Sequence, residues 1–249
     1  MEEFKLVKEE YKYNIKGKDE VVLSLHKDVF SPTGTSEEII KAVSKNITKP
    51  GLLLDLGCGS GIVGFVLHRM EIVSKLHASD ISNQAVNLVR KNAKKNNIEC
   101  EAKDGPVFSP WVGEKFDYIV DDISGISQEI ANISPWFKNT MCESGEDGAD
   151  LVVEAINHAP SHLLDGGKFF FPVLSLSNVD RIIASAKSIF ENVERLSHKV
   201  WTLPDEMKPH MEKLKELNNK GLIKYEEKFG LILWYTDIYV AYNSINNKD

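Results

Sequence analysis

The chain has 249 residues, 42% of them hydrophobic and 27% charged, with 16 Gly and 9 Pro. These fractions exclude a disordered or fibrous chain and fit one large domain or two small ones, long enough to bury a core without staples. The net charge of −7, from 30 Lys and Arg against 37 Asp and Glu, offers no basic domain or stripe for duplex DNA.

Residues 4–26 alternate apolar and polar in two stretches, Tyr11/Tyr13/Ile15 and Val21/Leu23/Leu25. Lys16-Gly-Lys-Asp19 between them is a turn signal, so a β-hairpin is predicted. The loop Val29-Phe-Ser-Pro-Thr-Gly-Thr-Ser36 follows, with Thr35 or Ser36 as the expected helix cap before Ile39/Ile40/Val43. Strand and helix then alternate. Leu52–Leu56 reads as a strand, followed by a Gly-rich turn and a helix through Arg69. Val73–Ser79 reads as a strand, Asn83–Asn96 as a helix, Cys100–Lys103 and Phe116–Val120 as further strands. Residues 125–148 look irregular. Asp150–Leu164 has helical periodicity, Asp165-Gly-Gly167 is a turn, and Lys168–Leu174 is an apolar strand. A charged helix, Asp205–Asn219, leads to Leu231–Tyr242, apolar on both faces and so expected inside the sheet rather than at its edge. The βαβα alternation implies a parallel sheet covered on both faces.

No apolar run approaches the ~18 residues of a membrane helix. Cys58, Cys100 and Cys142 form neither a disulfide framework nor a zinc pair. The start, Met-Glu-Glu-Phe-Lys, lacks a signal-peptide pattern, so a cytoplasmic location is expected. No linker rich in Gly, Ser or Pro divides the chain, so residues 1–30 are read as a hairpin extension and 31–249 as one domain.

The most informative segment is Leu54-Asp-Leu-Gly-Cys-Gly-Ser-Gly-Ile-Val-Gly64. Gly59-Ser-Gly-Ile-Val-Gly64 fits the dinucleotide pattern GxGxxG, with Asp80 21 residues beyond Gly59. Asp55 argues otherwise. A carboxylate two residues before the first glycine would repel a pyrophosphate but favour a ligand carrying an amine. A ribose-bearing amino acid, S-adenosylmethionine, meets that condition.

On these residues the chain, over roughly 30–242, resembles the class I S-adenosylmethionine-dependent methyltransferases, and within them the small-domain group that includes release-factor glutamine methyltransferases. Asp55-Leu-Gly-Cys-Gly-Ser-Gly61 stands at the first motif of that group and Ser79-Asp-Ile-Ser82 at the second. The resemblance implies an α/β, Rossmann-like, seven-stranded and mostly parallel sheet with an antiparallel last strand, helices on both faces and an N-terminal β-hairpin. It implies S-adenosylmethionine bound by Asp55, Gly57, Cys58, Gly59, Gly61, Asp80, Ile81, Asp104, Gly105 and Asp121. Asp80 would accept both ribose hydroxyls, and Asp104 would sit by the adenine amino group. Asp122 falls at the group's Asn/Asp position and is the candidate catalytic residue. Ile123-Ser124-Gly125 then replaces the group's Pro-Pro-aromatic. Thr33, Thr35, Ser124 and Trp136 are the candidate acceptor-binding residues.

His158 and His162 stand four apart, but Ala159 and Pro160 interrupt the metal-pair pattern and no third ligand follows, so no metal is expected. The expected activity is methyl transfer to a nitrogen or oxygen, on a small molecule or protein ahead of RNA. An NAD(P)-dependent oxidoreductase and a non-catalytic cofactor-binding module are the competing readings.

Overall fold

The computed structural model describes residues 10–123, 125–137, 140 and 142–245. The chain opens with the hairpin β1 (Glu10–Tyr13) and β2 (Val21–Ser24), followed by α1 (Gly34–Asn46). The alternating part comprises β3 (Gly51–Leu56), α2 (Ile62–Arg69), β4 (Val73–Asp80), α3 (Asn83–Lys95), β5 (Cys100–Asp104) and β6 (Phe116–Asp121). A short α4 (Gln128–Ile133) precedes α5 (Asp150–His158), β7 (Leu163–Leu174) and α6 (Val179–Ile189). The last elements are β8 (Phe190–Thr202), α7 (Met211–Asn219), β9 (Glu226–Lys228) and β10 (Leu231–Ser244).

The main sheet runs β5-β4-β3-β6-β7-β10-β8, with β9 paired to β10 as a short eighth strand. β3, β4, β5, β6 and β7 are mutually parallel, whereas β10 is antiparallel to both β7 and β8. The two-faced terminal strand therefore lies inside the sheet. Its burial follows from strand geometry, in which successive side chains point to opposite faces. Leu53 and Phe170 face the cluster under α1, α2 and α3, while Leu54, Phe169 and Phe171 face the cluster under α5 and α6.

A third cluster joins the 126–142 segment to the 203–223 segment through Ile126, Ile130, Leu203, Met207 and Leu214. It includes Trp234, so it stands over the β10–β8 end of the sheet.

The hairpin is fixed by two asparagines one turn apart, Asn92 on α3 and Asn96 at its C-cap. Asn96 accepts from Val22 N and donates to Val22 O at 2.9 and 2.8 Å. Asn92 does the same to Ser24 at 2.8 and 3.1 Å, and donates also to Ser60 O at 3.0 Å. These side chains occupy the polar edge of β2 that would otherwise be open to another strand.

Several local expectations are corrected. β8 has no counterpart among the elements read from the sequence, because Glu191, Glu194, Arg195 and Lys199 are charged and exposed on an edge and obscure its strand pattern. The helix expected over Asp150–Leu164 stops at His158, since Pro160 lacks the N–H that the next turn requires. The Asp165–Gly167 turn persists as an irregularity within β7, where Phe116 pairs with Leu163 but Tyr118 with Lys168. α1 begins at Gly34 after Thr33, without a side-chain cap bond. The hydroxyls of Thr35 and Ser36 turn away from the helix, towards Thr236 and Asp122.

Candidate functional site

A cavity of about 710 Å³ opens at the carboxyl ends of the parallel strands, where ligands bind in sheets of this kind. Its β3–β4–β5 side begins with the glycine turn. Gly57 N and Cys58 N donate to Ser79 O at 2.9 and 3.0 Å, tying the turn to β4. Gly57 has φ +76°, and a Cβ there would stand 2.9 Å from Ile123 N, so only glycine fits without displacing that backbone. Burial pushes the Cys58 thiol well above its ordinary value, which leaves it a small inert filler.

Asp80, at the end of β4, accepts from Gly59 N through Oδ2 and from Ser82 N through Oδ1, both at 2.9 Å. Each oxygen retains an acceptor site, so the carboxylate is fixed in place yet able to take two further donors. Burial moves its pKa upward and the two N–H bonds moderate that rise. Beside it Ile81 is 60% exposed, an apolar side chain held on the cavity rim next to Pro106 and Val107.

The β6–β7–β10–β8 side is built differently. Asp122 follows β6, and its Oδ2 accepts from Ser36 Oγ at 2.8 Å while Oδ1 has no hydrogen bond among the described residues. Burial raises its pKa, helped by the charges of Asp55 and Asp121, against the Ser36 bond. Five rings line this side. Phe30 meets Phe137 with centroids 4.9 Å apart, and Trp234 meets Trp136 at 5.5 Å and Trp201 at 6.2 Å. Trp201 Nε1 donates to Thr236 Oγ1 at 3.1 Å, which fixes the ring across Gly34 at the start of α1.

Of the sequence-derived residues, Gly57, Cys58, Gly59, Asp80, Ile81, Gly105, Asp122, Thr33, Thr35 and Trp136 meet on the cavity wall. Asp55, Gly61, Asp104 and Asp121 stand off it. Asp55 lies beneath the turn, where its Oδ2 accepts from Gly64 N at 2.9 Å and its Oδ1 has no partner among the described residues. Asp121 accepts from Ile123 N at 2.8 Å, and its Oδ2 is likewise buried and without a partner among the described residues. Burial raises both carboxyls to about 7. Gly61 precedes α2. Asp104 is exposed and accepts from Asn83 Nδ2 at 3.3 Å, leaving the neighbouring Gly105 on the wall. Ser124 lies outside the described residues. His162, weighed as a metal ligand, stacks on Phe108 with centroids 4.5 Å apart.

Sequence reasoning missed Ser36 as the partner of Asp122, and missed Trp201, Trp234 and Glu143 on the wall. The tryptophans had a usable signal. They are cross-strand partners in β8 and β10, but that pairing is visible only once β8 is recognised.

The sheet order, the glycine turn and the Asp80 clamp resemble those of the class I S-adenosylmethionine-dependent methyltransferases. Residues 21–122 match the Methyltransferase small domain. The chain is similar to the release factor glutamine methyltransferase of Streptococcus pneumoniae, 27% identical over 157 residues that cover 61% of this chain and 56% of the relative. It is also similar to the ribosomal protein L11 methyltransferase of Caldicellulosiruptor saccharolyticus, 35% identical over 151 residues, 55% of this chain and 48% of the relative. The chain thus spans about half the length of these curated relatives. Among solved structures, the T. thermophilus 16S rRNA N2 G1207 methyltransferase, in complex with AdoMet and guanosine, shares the fold at a TM-score of 0.59 and 14% identity. That match covers 94% of this chain and 50% of that one. No helix among the described residues is long and apolar enough to cross a membrane.

Proposed function

We propose that this chain transfers a methyl group from S-adenosylmethionine to a nitrogen or oxygen of an acceptor held against Asp122. The observation that carries this reading is the clamped Asp80, whose two unused acceptor sites suit the two hydroxyls of a ribose. When bound, the cofactor supplies an electrophilic methyl carbon on a positively charged sulfur.

The chain's own residues then bind and orient. The Gly57–Ser60 turn lets backbone approach the ligand, while Ile81, Pro106 and Val107 give an apolar flank for adenine. Glu37 N bonds back to Thr33 O, so the N–H groups of Gly34, Thr35 and Ser36 have no carbonyl partner within α1. They are the donors available to the cofactor's carboxylate. In its ionised form Asp55 adds negative charge beneath the turn, which suits an amine and opposes the pyrophosphate of a nicotinamide dinucleotide. Asp122 Oδ1 is the acceptor that orients the N–H or O–H to be methylated. Holding the two reactants in line supplies roughly 7–11 kcal/mol of the barrier.

The relatives' names point to protein and RNA acceptors, including glutamine and ribosomal protein L11. The missing Pro-Pro-aromatic after Asp122 separates this chain from the group that holds planar amides that way. A small molecule or a protein side chain remains our preferred acceptor. Residues 31–249 form the transferase domain in this reading, and residues 1–30 its hairpin extension.

The test is Asp122→Asn. Calorimetry should find S-adenosylhomocysteine affinity within threefold of the parent, while methyl transfer from labelled cofactor falls at least 100-fold. Equal loss of both would make Asp122 a cofactor-binding or structural residue.

A further inference from the structure

The acceptor side of the cavity has a one-sided chemistry. The described residues lining the whole cavity include Asp28, Asp80, Asp122 and Glu143, and no Lys, Arg or His. Asp80 is committed to the ribose, and the α1 N–H groups to the single carboxylate of the cofactor. A second anion entering here would meet Asp122 and Glu143 with no lining cation among the described residues to pair it, whereas phosphate recognition relies on Arg and Lys. The remaining surface combines aromatic rings with the hydroxyls of Thr33, Thr35, Thr140 and Thr202. Trp136, Trp201, Trp234, Phe30 and Phe137 bring no phenol hydroxyl; the Trp201 N–H is spent on Thr236, whereas Trp234 Nε1 and Thr140 Oγ1 have no partner among the described residues. Indole faces attract ammonium groups, and the half-buried Asp122 carboxylate lines the same cavity. The contact of Phe30 with Phe137 joins the loop before α1 to the 135–137 turn on the cavity wall.

We propose that the acceptor is a small-molecule amine with an aromatic or apolar body, its nitrogen at Asp122 Oδ1 and its body among the Trp136, Trp201 and Trp234 rings. This rests on the methyl-transfer reading above. The bound ammonium gives one proton to the Asp122 carboxylate. The freed lone pair forms the N–C bond as the S–C bond breaks, with its electron pair left on sulfur. The products are the methylammonium and S-adenosylhomocysteine, and the proton on Asp122 returns to solvent on release.

Fluorescence and calorimetric titration of the full chain, alone and saturated with S-adenosylhomocysteine, tests this with matched probes. The amines are 2-phenylethylamine and tryptamine. Their carboxylate counterparts are 3-phenylpropionate and indole-3-propionate, and guanosine 5′-monophosphate represents the nucleotide class. The amines should bind at least tenfold more tightly than the carboxylates and the nucleotide, and quench tryptophan emission. Asp122→Asn should weaken amine binding at least tenfold. Glu143→Gln, at an exposed position, should weaken it less and in the same direction, which keeps the test open if the Asp122 variant fails to fold. Carboxylates or the nucleotide binding as tightly as the amines would overturn the proposal, as would failure of both amines to bind. Absence of any S-adenosylhomocysteine binding would instead overturn the methyl-transfer reading, and the amine titration of the free chain would still decide the acceptor class.

Discussion

Ser36 Oγ donates a 2.8 Å hydrogen bond to Asp122 Oδ2, joining the first turn of α1 to the end of β6. One oxygen of the carboxylate is thereby fixed while the other stays available to an incoming donor. Ser36→Ala should leave S-adenosylhomocysteine affinity within threefold and lower turnover about tenfold, because a hydrogen bond to a charged group contributes about 1.5–3 kcal/mol. Single-turnover rates beside calorimetry read the two effects separately. Unchanged turnover would remove Ser36 from the positioning of Asp122.

Asp80 holds two backbone amides as well as its proposed ligand contacts. Asp80→Ala should weaken S-adenosylhomocysteine tenfold to 100-fold, with Asp80→Asn intermediate because its amide oxygen still accepts. Calorimetry on both variants checks the order. An Asp80→Ala protein that binds normally would refute the ribose assignment.

The asparagine pair at the end of α3 makes a stability prediction independent of chemistry. Asn96→Ala strips the partners from Val22 N and Val22 O. Leaving such groups unsatisfied costs about 1–3 kcal/mol. For a chain of this size each kcal/mol lowers Tm by roughly 2–4 °C, which calorimetric melting reads directly.

Asp55 and Asp121 give the fold a pH dependence. Burial raises both to about 7, above the ordinary 3.8, so between these values the folded chain holds protons that the unfolded chain has released. Their contribution is full below pH 4 and declines as pH rises through 7, by about 1.4 kcal/mol per unit of pKa difference for each group. Chemical denaturation should therefore show higher stability at pH 5.5 than at pH 8. Asp55→Asn, whose amide oxygen can still accept from Gly64 N, should flatten that slope. A stability that rises over the same interval would contradict the account.

What was legible in the sequence was local. The alternation of β3, α2, β4 and α3 and the glycine turn depend on contiguous residues, and so does the spacing from Gly59 to Asp80. What was not legible depends on pairing between distant strands. Charged, exposed β8 hides its period of two, and with it the placement of Trp201 opposite Trp234. Asp104 shows the same boundary on a smaller scale. Its strand is readable, but that Asp104 turns to Asn83 while Gly105 faces the cavity is a matter of three-dimensional register.

The most direct test of the central claim is a thermal-shift series with S-adenosylmethionine, S-adenosylhomocysteine, NADH and NADPH. A ligand at about 100 times its dissociation constant adds about 2.7 kcal/mol, which for this length corresponds to a rise of roughly 5–11 °C. The account predicts that rise with the two sulfur ligands and none with the nicotinamides. Stabilisation by NADH or NADPH alone would contradict it, together with the roles given to Asp80 and Asp122.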